Sequence, residues 1–133
     1  MATYLNLSDE PIKLNTEWDG VRITNIIETK VGGATLDVTG FPDNVIESGH
    51  VVIYNPTTKV YKPMPLTTSG GATVYDSLPS GFQYFGFVIA TVLKSRPAVG
   101  ILTRGRVNAD AFKYKITSIA SALKAALPHI TFN

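Results

Sequence analysis

Two histidines, His50 and His129, are the whole imidazole inventory of the chain, and it has no cysteine. Thiolate metal sites, disulfides and cysteine nucleophiles are therefore excluded. Neither histidine has a second histidine two to four residues away, the spacing that would place two ring nitrogens on one metal. Asp37, Asp43 and Glu47 precede His50 and would have to complete an oxygen–nitrogen metal site. Acids at turns that face water are the expected reading. Ser48-Gly49-His50 sets a hydroxyl close to an imidazole in sequence. The stretch lacks the strand–elbow–helix pattern that exposes a serine nucleophile, so no nucleophile–base pair is expected there.

The glycine-rich places are Gly32-Gly33, Ser69-Gly70-Gly71 and Gly100 to Gly105. None carries the P-loop spacing or a GxGxxG between a strand and a helix, so they read as turns and bulges. No catalytic residue, metal or cofactor is expected, and nothing names a reaction. The remaining chemistry is basic. Arg104 and Arg106 alternate along one expected strand and so share a face. Lys94, Arg96, Lys113 and Lys115 are near them in sequence, with Phe112 and Tyr114 interleaved. A single-stranded nucleic-acid platform uses such interleaving, because bases stack on aromatics while phosphates meet cations. A dedicated binder carries a larger basic excess than this chain's net +2. Arg96, Arg104, Arg106, Lys113 and Tyr114 read instead as candidate contacts to another subunit or partner.

The elements that must position these residues are short. Val21–Ile27, Val51–Tyr54, a return strand from Val60, the apolar run Gly86–Leu93 and Ala98–Val107 read as strands. Gly32-Gly33 between two alternating runs signals a hairpin, since glycine accepts the positive φ of tight turns. Residues 67–73 read as a flexible loop. One helix is expected, Lys115–Leu127, where Ile116, Ile119, Ala120, Leu123 and Leu127 form one apolar stripe before Pro128. A short strand with Ile130 and Phe132 follows. The expected core is Val51, Ile53, Val88, Ile89, Val99, Ile101, Leu102, Ile119 and Leu123. Residues 1–20 read as an extended N-terminal arm, with Leu5/Leu7 and Ile12/Leu14 alternating and Trp18 near its end. Such an arm gains order by pairing with another chain's strand edge. Residues 21–133 read as a single β-rich domain.

At 133 residues and 44% hydrophobic, the chain can bury one real core. Only 17% of its residues are charged, below the usual quarter, as suits a surface partly consumed by partners. No run approaches the length of a membrane span, and Met1 to Glu10 has neither the basic head nor the apolar stretch of a secretory signal. Charge is unevenly spread. Residues 1–58 carry three basic and eight acidic side chains, and residues 59–133 carry nine basic and two acidic ones. One acidic and one basic flank would suit docking on a repeated lattice.

From Ile46 the order of motifs becomes specific. Ile46-Glu47-Ser48-Gly49-His50-Val51-Val52 is followed by Tyr61-Lys62-Pro63, then Ala98-Val99-Gly100-Ile101-Leu102, then Arg104-Gly105-Arg106-Val107-Asn108. A helix closing on Leu127-Pro128-His129-Ile130-Thr131-Phe132 completes it. In order and spacing, residues 40–133 resemble the lambda-type head decoration proteins of tailed phages. The segment Val60-Tyr61-Lys62 inverts the family's commoner Lys-Tyr, and residues 21–40 have no place in its pattern. The resemblance implies a β-clip-like fold with one C-terminal helix, and a homotrimer at local three-fold positions on the outer surface of the capsid. The arm, through Leu5, Leu7, Ile12, Leu14 and Trp18, would add to the edge of the major capsid protein. The protein would clamp capsomers in the virion, and a head-fibre protein is a further implied partner. Alternatives are a head-fibre base or anchor, a tail or baseplate β-domain, and the nucleic-acid platform above.

Overall fold

The computed structural model describes residues 16–132. Over that range the protein is mainly β. A helical turn, α1 (Asp19–Arg22), leads into β1 (Ile23–Thr29). Two short pieces, β2 (Ala34–Thr35) and β3 (Val45–Ile46), precede β4 (Val51–Asn55) and β5 (Val60–Pro63). Then come β6 (Leu66–Ser69), β7 (Ala72–Tyr75), β8 (Gln83–Val88), β9 (Val92–Leu93), β10 (Ala98–Val99) and β11 (Ile101–Val107). A 3₁₀ turn (Ala109–Ala111), α2 (Ala120–Ala126) and β12 (Ile130–Phe132) complete the order.

Six strands form the main sheet in the order β1, β11, β8, β4, β5, with β12 beside β11. One edge of β11 takes β1 antiparallel. The other is shared: Ile101 and Leu102 pair antiparallel with β8, and Gly105–Val107 pair parallel with β12.

The side-chain period of two explains why the central strands are so apolar. Val51 and Ile53 of β4, Phe87 of β8 and Leu102 of β11 enter one cluster with Met64, Tyr75, Phe112, Ile116, Ile119, Leu123 and Ile130. The alternate residues Val52, Val88 and Ile101 enter a second cluster with Leu36, Phe41, Ile46 and Val99. The sheet is therefore covered on both faces, by α2 and the C-terminal chain on one side and by the β2–β3 segment on the other. Each fully buried side chain of this kind contributes about 1.5–3 kcal/mol. The expected core is buried as read, apart from Ile89, which is only partly covered.

The strands of β8 and β11 also approach unusually closely. A Cβ built on Gly86 would lie 2.1 Å from the Leu102 carbonyl oxygen. Gly49 has φ +83° and a Cβ there would meet the Phe112 ring at 2.5 Å. Both positions need glycine for space, and Gly49 for backbone conformation as well.

Several elements differ from expectation for identifiable reasons. Gly32 and Gly33 do turn the chain, but they close no hairpin. β1 pairs with β11 and β2 with β10, so both strands lie along the same Ala98–Val107 run on either side of its break at Gly100. The hairpin lies instead at residues 67–73, expected as a loop. Gly70 and Gly71 take φ of 61° and 84°, the two positive values of a two-residue hairpin turn, and Ser69 pairs with Ala72. The run Gly86–Leu93 breaks after Val88, where the Thr91 amide and hydroxyl both donate to the Asp19 carboxylate. The helix begins at Ala120 rather than Lys115. Ser118 donates to the Tyr75 carbonyl, and a turn bond joins the Ile119 amide to Ile116. Local bonding of this sort draws Ser and Thr out of helices.

Candidate functional site

Two polar clusters lie inside the described chain. Arg22 is buried. Its Nε donates to the Ala111 carbonyl at 2.8 Å, and one terminal nitrogen donates to Glu47 Oε1 at 2.8 Å and to Ser48 Oγ at 3.4 Å. The Ser48 amide donates to Thr91 Oγ at 3.0 Å, and Thr91 in turn is held by Asp19. The network ties α1 to the start of β4 and the end of β8. Asp19 and Gly20, assigned to the arm from sequence, thus belong to a turn anchored on the body.

The second cluster surrounds His50, which is buried with its Nε2 donating to the Met64 carbonyl at 3.0 Å. The rings of Phe41, Tyr75 and Tyr114 meet it edge-on, with centroids at 5.2, 5.2 and 6.0 Å. Burial pushes the imidazole down to about 4. Burial likewise raises the phenol of Tyr75, whose oxygen accepts the Val51 amide at 3.2 Å. Burial and then the Asp43 carboxylate raise that of Tyr114, which donates a hydrogen bond to Asp43. The gap between Glu47, Ser48, His50, Tyr75 and Tyr114 has no room for a water molecule. Ser48 and His50 therefore face different partners, and the cluster is packing rather than an open acid–base site. Among the described residues, no three His, Asp or Glu side chains gather as a metal site. Asp37 is bonded to Thr39, Asp43 to Tyr114 and Lys113, and Glu47 to Arg22.

The basic and aromatic residues singled out from sequence fall in three places. Arg104 and Arg106 are exposed on β11, opposite Glu28 and Asn25 of β1. Arg96 is exposed in the turn between β9 and β10. Lys113 and Tyr114 are engaged with Asp43, at 3.6 Å for the lysine. An interleaved basic–aromatic platform is therefore not assembled from them. Of the arm residues, Leu5, Leu7, Ile12 and Leu14 lie outside the described residues. Trp18 is half exposed at the head of α1, with the Arg22 guanidinium 5.9 Å from its ring centre.

The surface that stands out is β1. Among the described residues it is the outer strand of the main sheet, and past Ile23 every residue of it is exposed. Its register against β11 slips at three points, leaving Thr24 and Ile27 of β1 without a paired residue. Ile26 and Ile27 are 50% and 63% exposed, and Val31 beyond the strand is 92% exposed. The adjacent pair Ile26-Ile27, among residues that are otherwise polar past Ile23, was the available sequence signal, because an alternating strand with one buried face hides only one of the two. A cleft of about 160 Å³ between Phe41, Pro42, Ile53, Pro63, Pro65 and Leu66, with Asp37 and Lys62 at its border, has the size of one inserted side chain.

Compared with family models, with curated proteins and with solved structures, the chain matches none of them.

Proposed function

We propose that this chain is a structural protein of a tailed-phage head. It binds the outside of the capsid and stabilises contacts between capsomers, as a trimer at local three-fold positions. The observation that carries the reading is the exposed outer strand β1, with its unpaired backbone edge among the described residues and its uncovered Ile26 and Ile27. Monomeric proteins rarely leave such an edge open, because it invites pairing with another chain. The motif order supports the same reading. Ile46, Val51, Val52, Ile101, Leu102 and Val107 all lie in the two cores around the central strands, as a shared scaffold requires.

The test is direct. Purified protein is added to expanded empty heads lacking it, and the heads are imaged and heated. Density at local three-fold positions and a raised rupture temperature are expected. No binding to heads, or localisation to the tail in virions, would refute the reading.

A further inference from the structure

Val31 is the most exposed large apolar side chain among the described residues, at 92%. It stands in the tight turn after β1, which the Gly33 amide closes on the Lys30 carbonyl at 3.0 Å. The cleft of about 160 Å³ offers the opposite shape. Phe41, Ile53 and four prolines, Pro42, Pro63, Pro65 and Pro79, line it. We propose that Val31 of one copy of this chain seats in that cleft of a neighbouring copy, with Lys30 set against Asp37 and Glu28 against Lys62. This is a subunit contact for the trimer of the proposed function, and it rests on that reading for the count of three.

Four observations select a second copy as the occupant. First, size: an apolar cavity of about 150 Å³ takes a benzene-sized group, so this cleft has room for one branched aliphatic side chain. Second, rigidity: proline has no side-chain rotamer freedom to lose, so the cleft is shaped before it is filled. Third, charge: among the described residues, Glu28, Lys30, Asp37 and Lys62 make no ion pair within the chain. Glu28 and Lys30 accompany Val31, while Lys62 and Asp37 border the cleft, so the two surfaces carry opposite signs in matching pairs. Fourth, placement: Lys30 Nζ lies 5.3 Å from the Tyr61 ring centre, and the Asp37 amide donates to the Tyr61 carbonyl at 2.8 Å. Turn and cleft thus gather about Tyr61, where both can approach one symmetry axis, yet Val31 stays out of its own chain's cleft. A side chain of one patch entering a pocket of another is a heterologous contact, which closes into a ring when the rotation permits. The contact uses no backbone edge of β1, so that edge stays free for the capsid.

The absence of native cysteine makes trapping clean. Full-length V31C and P42C are purified separately, mixed, oxidised and examined by intact mass and non-reducing gel. Mixed disulfide-linked pairs are expected, about tenfold more abundant than dimers of either variant alone. The same excess is expected over V31C mixed with S121C, whose position is exposed on α2. In parallel, light scattering compares wild type with V31D at equal concentration. The variant should fall from three times the monomer mass to the monomer mass, with its unfolding midpoint unchanged because position 31 is exposed. No mixed disulfide above the controls, or a V31D that keeps the wild-type mass, would overturn the proposal. Binding of wild type to expanded empty heads is scored separately. Decorated heads without the mixed disulfide would sink this contact and keep the capsid reading, and mixed disulfides with bare heads would do the reverse.

Discussion

His50 occupies a place where a charged imidazole is costly. It is fully enclosed by Phe41, Tyr75 and Tyr114, with the Met64 carbonyl as its hydrogen-bond acceptor. Burial lowers its folded pKa from 6.5 to about 4; the Met64 bond and Asp43 oppose the fall and Lys113 adds to it. The unfolded chain thus binds a proton between pH 6.5 and 4 that the folded chain does not. Stability from the neutral ring is complete above pH 6.5 and is lost as pH falls through that window, by about 3 kcal/mol at most. Urea unfolding at pH 7 and pH 4 checks this. His50→Gln, which keeps a donor for Met64, should lose less stability than wild type across the interval, by roughly 2–3 kcal/mol. An equal loss in both proteins would show that the ring titrates normally and is not enclosed.

At the scale of elements, the contact between β8 and β11 is the tightest point of the sheet. Alanine at position 86 would drive its Cβ into the Leu102 carbonyl and the Ile101 side chain, at 2.1 and 2.8 Å. Because the obstacle is backbone on a strand paired along both edges, it cannot simply yield. Gly86→Ala should therefore destabilise by about 3 kcal/mol or more, seen as a lower unfolding midpoint with an unchanged denaturant slope. A loss under about 0.5 kcal/mol would mean the strands are further apart than described. Gly86 was invisible as a special residue in the sequence, since it sits inside an apolar run with nothing to mark a close approach. What was legible was periodic: β4, β5, β11, β12 and nearly all of the expected core follow from alternation and turn residues. Pairing was less legible. Gly32-Gly33 and Gly70-Gly71 have the same turn chemistry, yet only the second closes a hairpin, because β1 and β2 find partners about 70 residues away in sequence on the Ala98–Val107 run. The candidate site was half legible: Arg104 and Arg106 do share an exposed face, but Lys113 and Tyr114 are tied to Asp43 through tertiary contacts that spacing does not reveal.

For the whole molecule, the question is what holds copies together. Among the described residues, both core clusters lie between Ile23 and Phe132. The proposed capsid role calls for a trimer, and the described body leaves Arg96, Arg104 and Arg106 exposed for contacts with acidic surface on a neighbour. Head-to-tail contacts of this kind close into a ring when the rotation permits. Light scattering on the full chain and on a chain starting at Thr16 separates body from arm. The cut belongs there, and not after Gly20, because Asp19 holds Thr91 and a deeper deletion would loosen the turn after β8. Three times the monomer mass is expected for both chains, with the trimer weakening as salt rises because its contacts include exposed charges. A trimer that needs residues 1–15 would move the subunit contact from the body to the arm, and the arm could not then be free to dock elsewhere. A monomer in both forms would leave assembly to the capsid alone and deprive the three-fold placement of its support in solution.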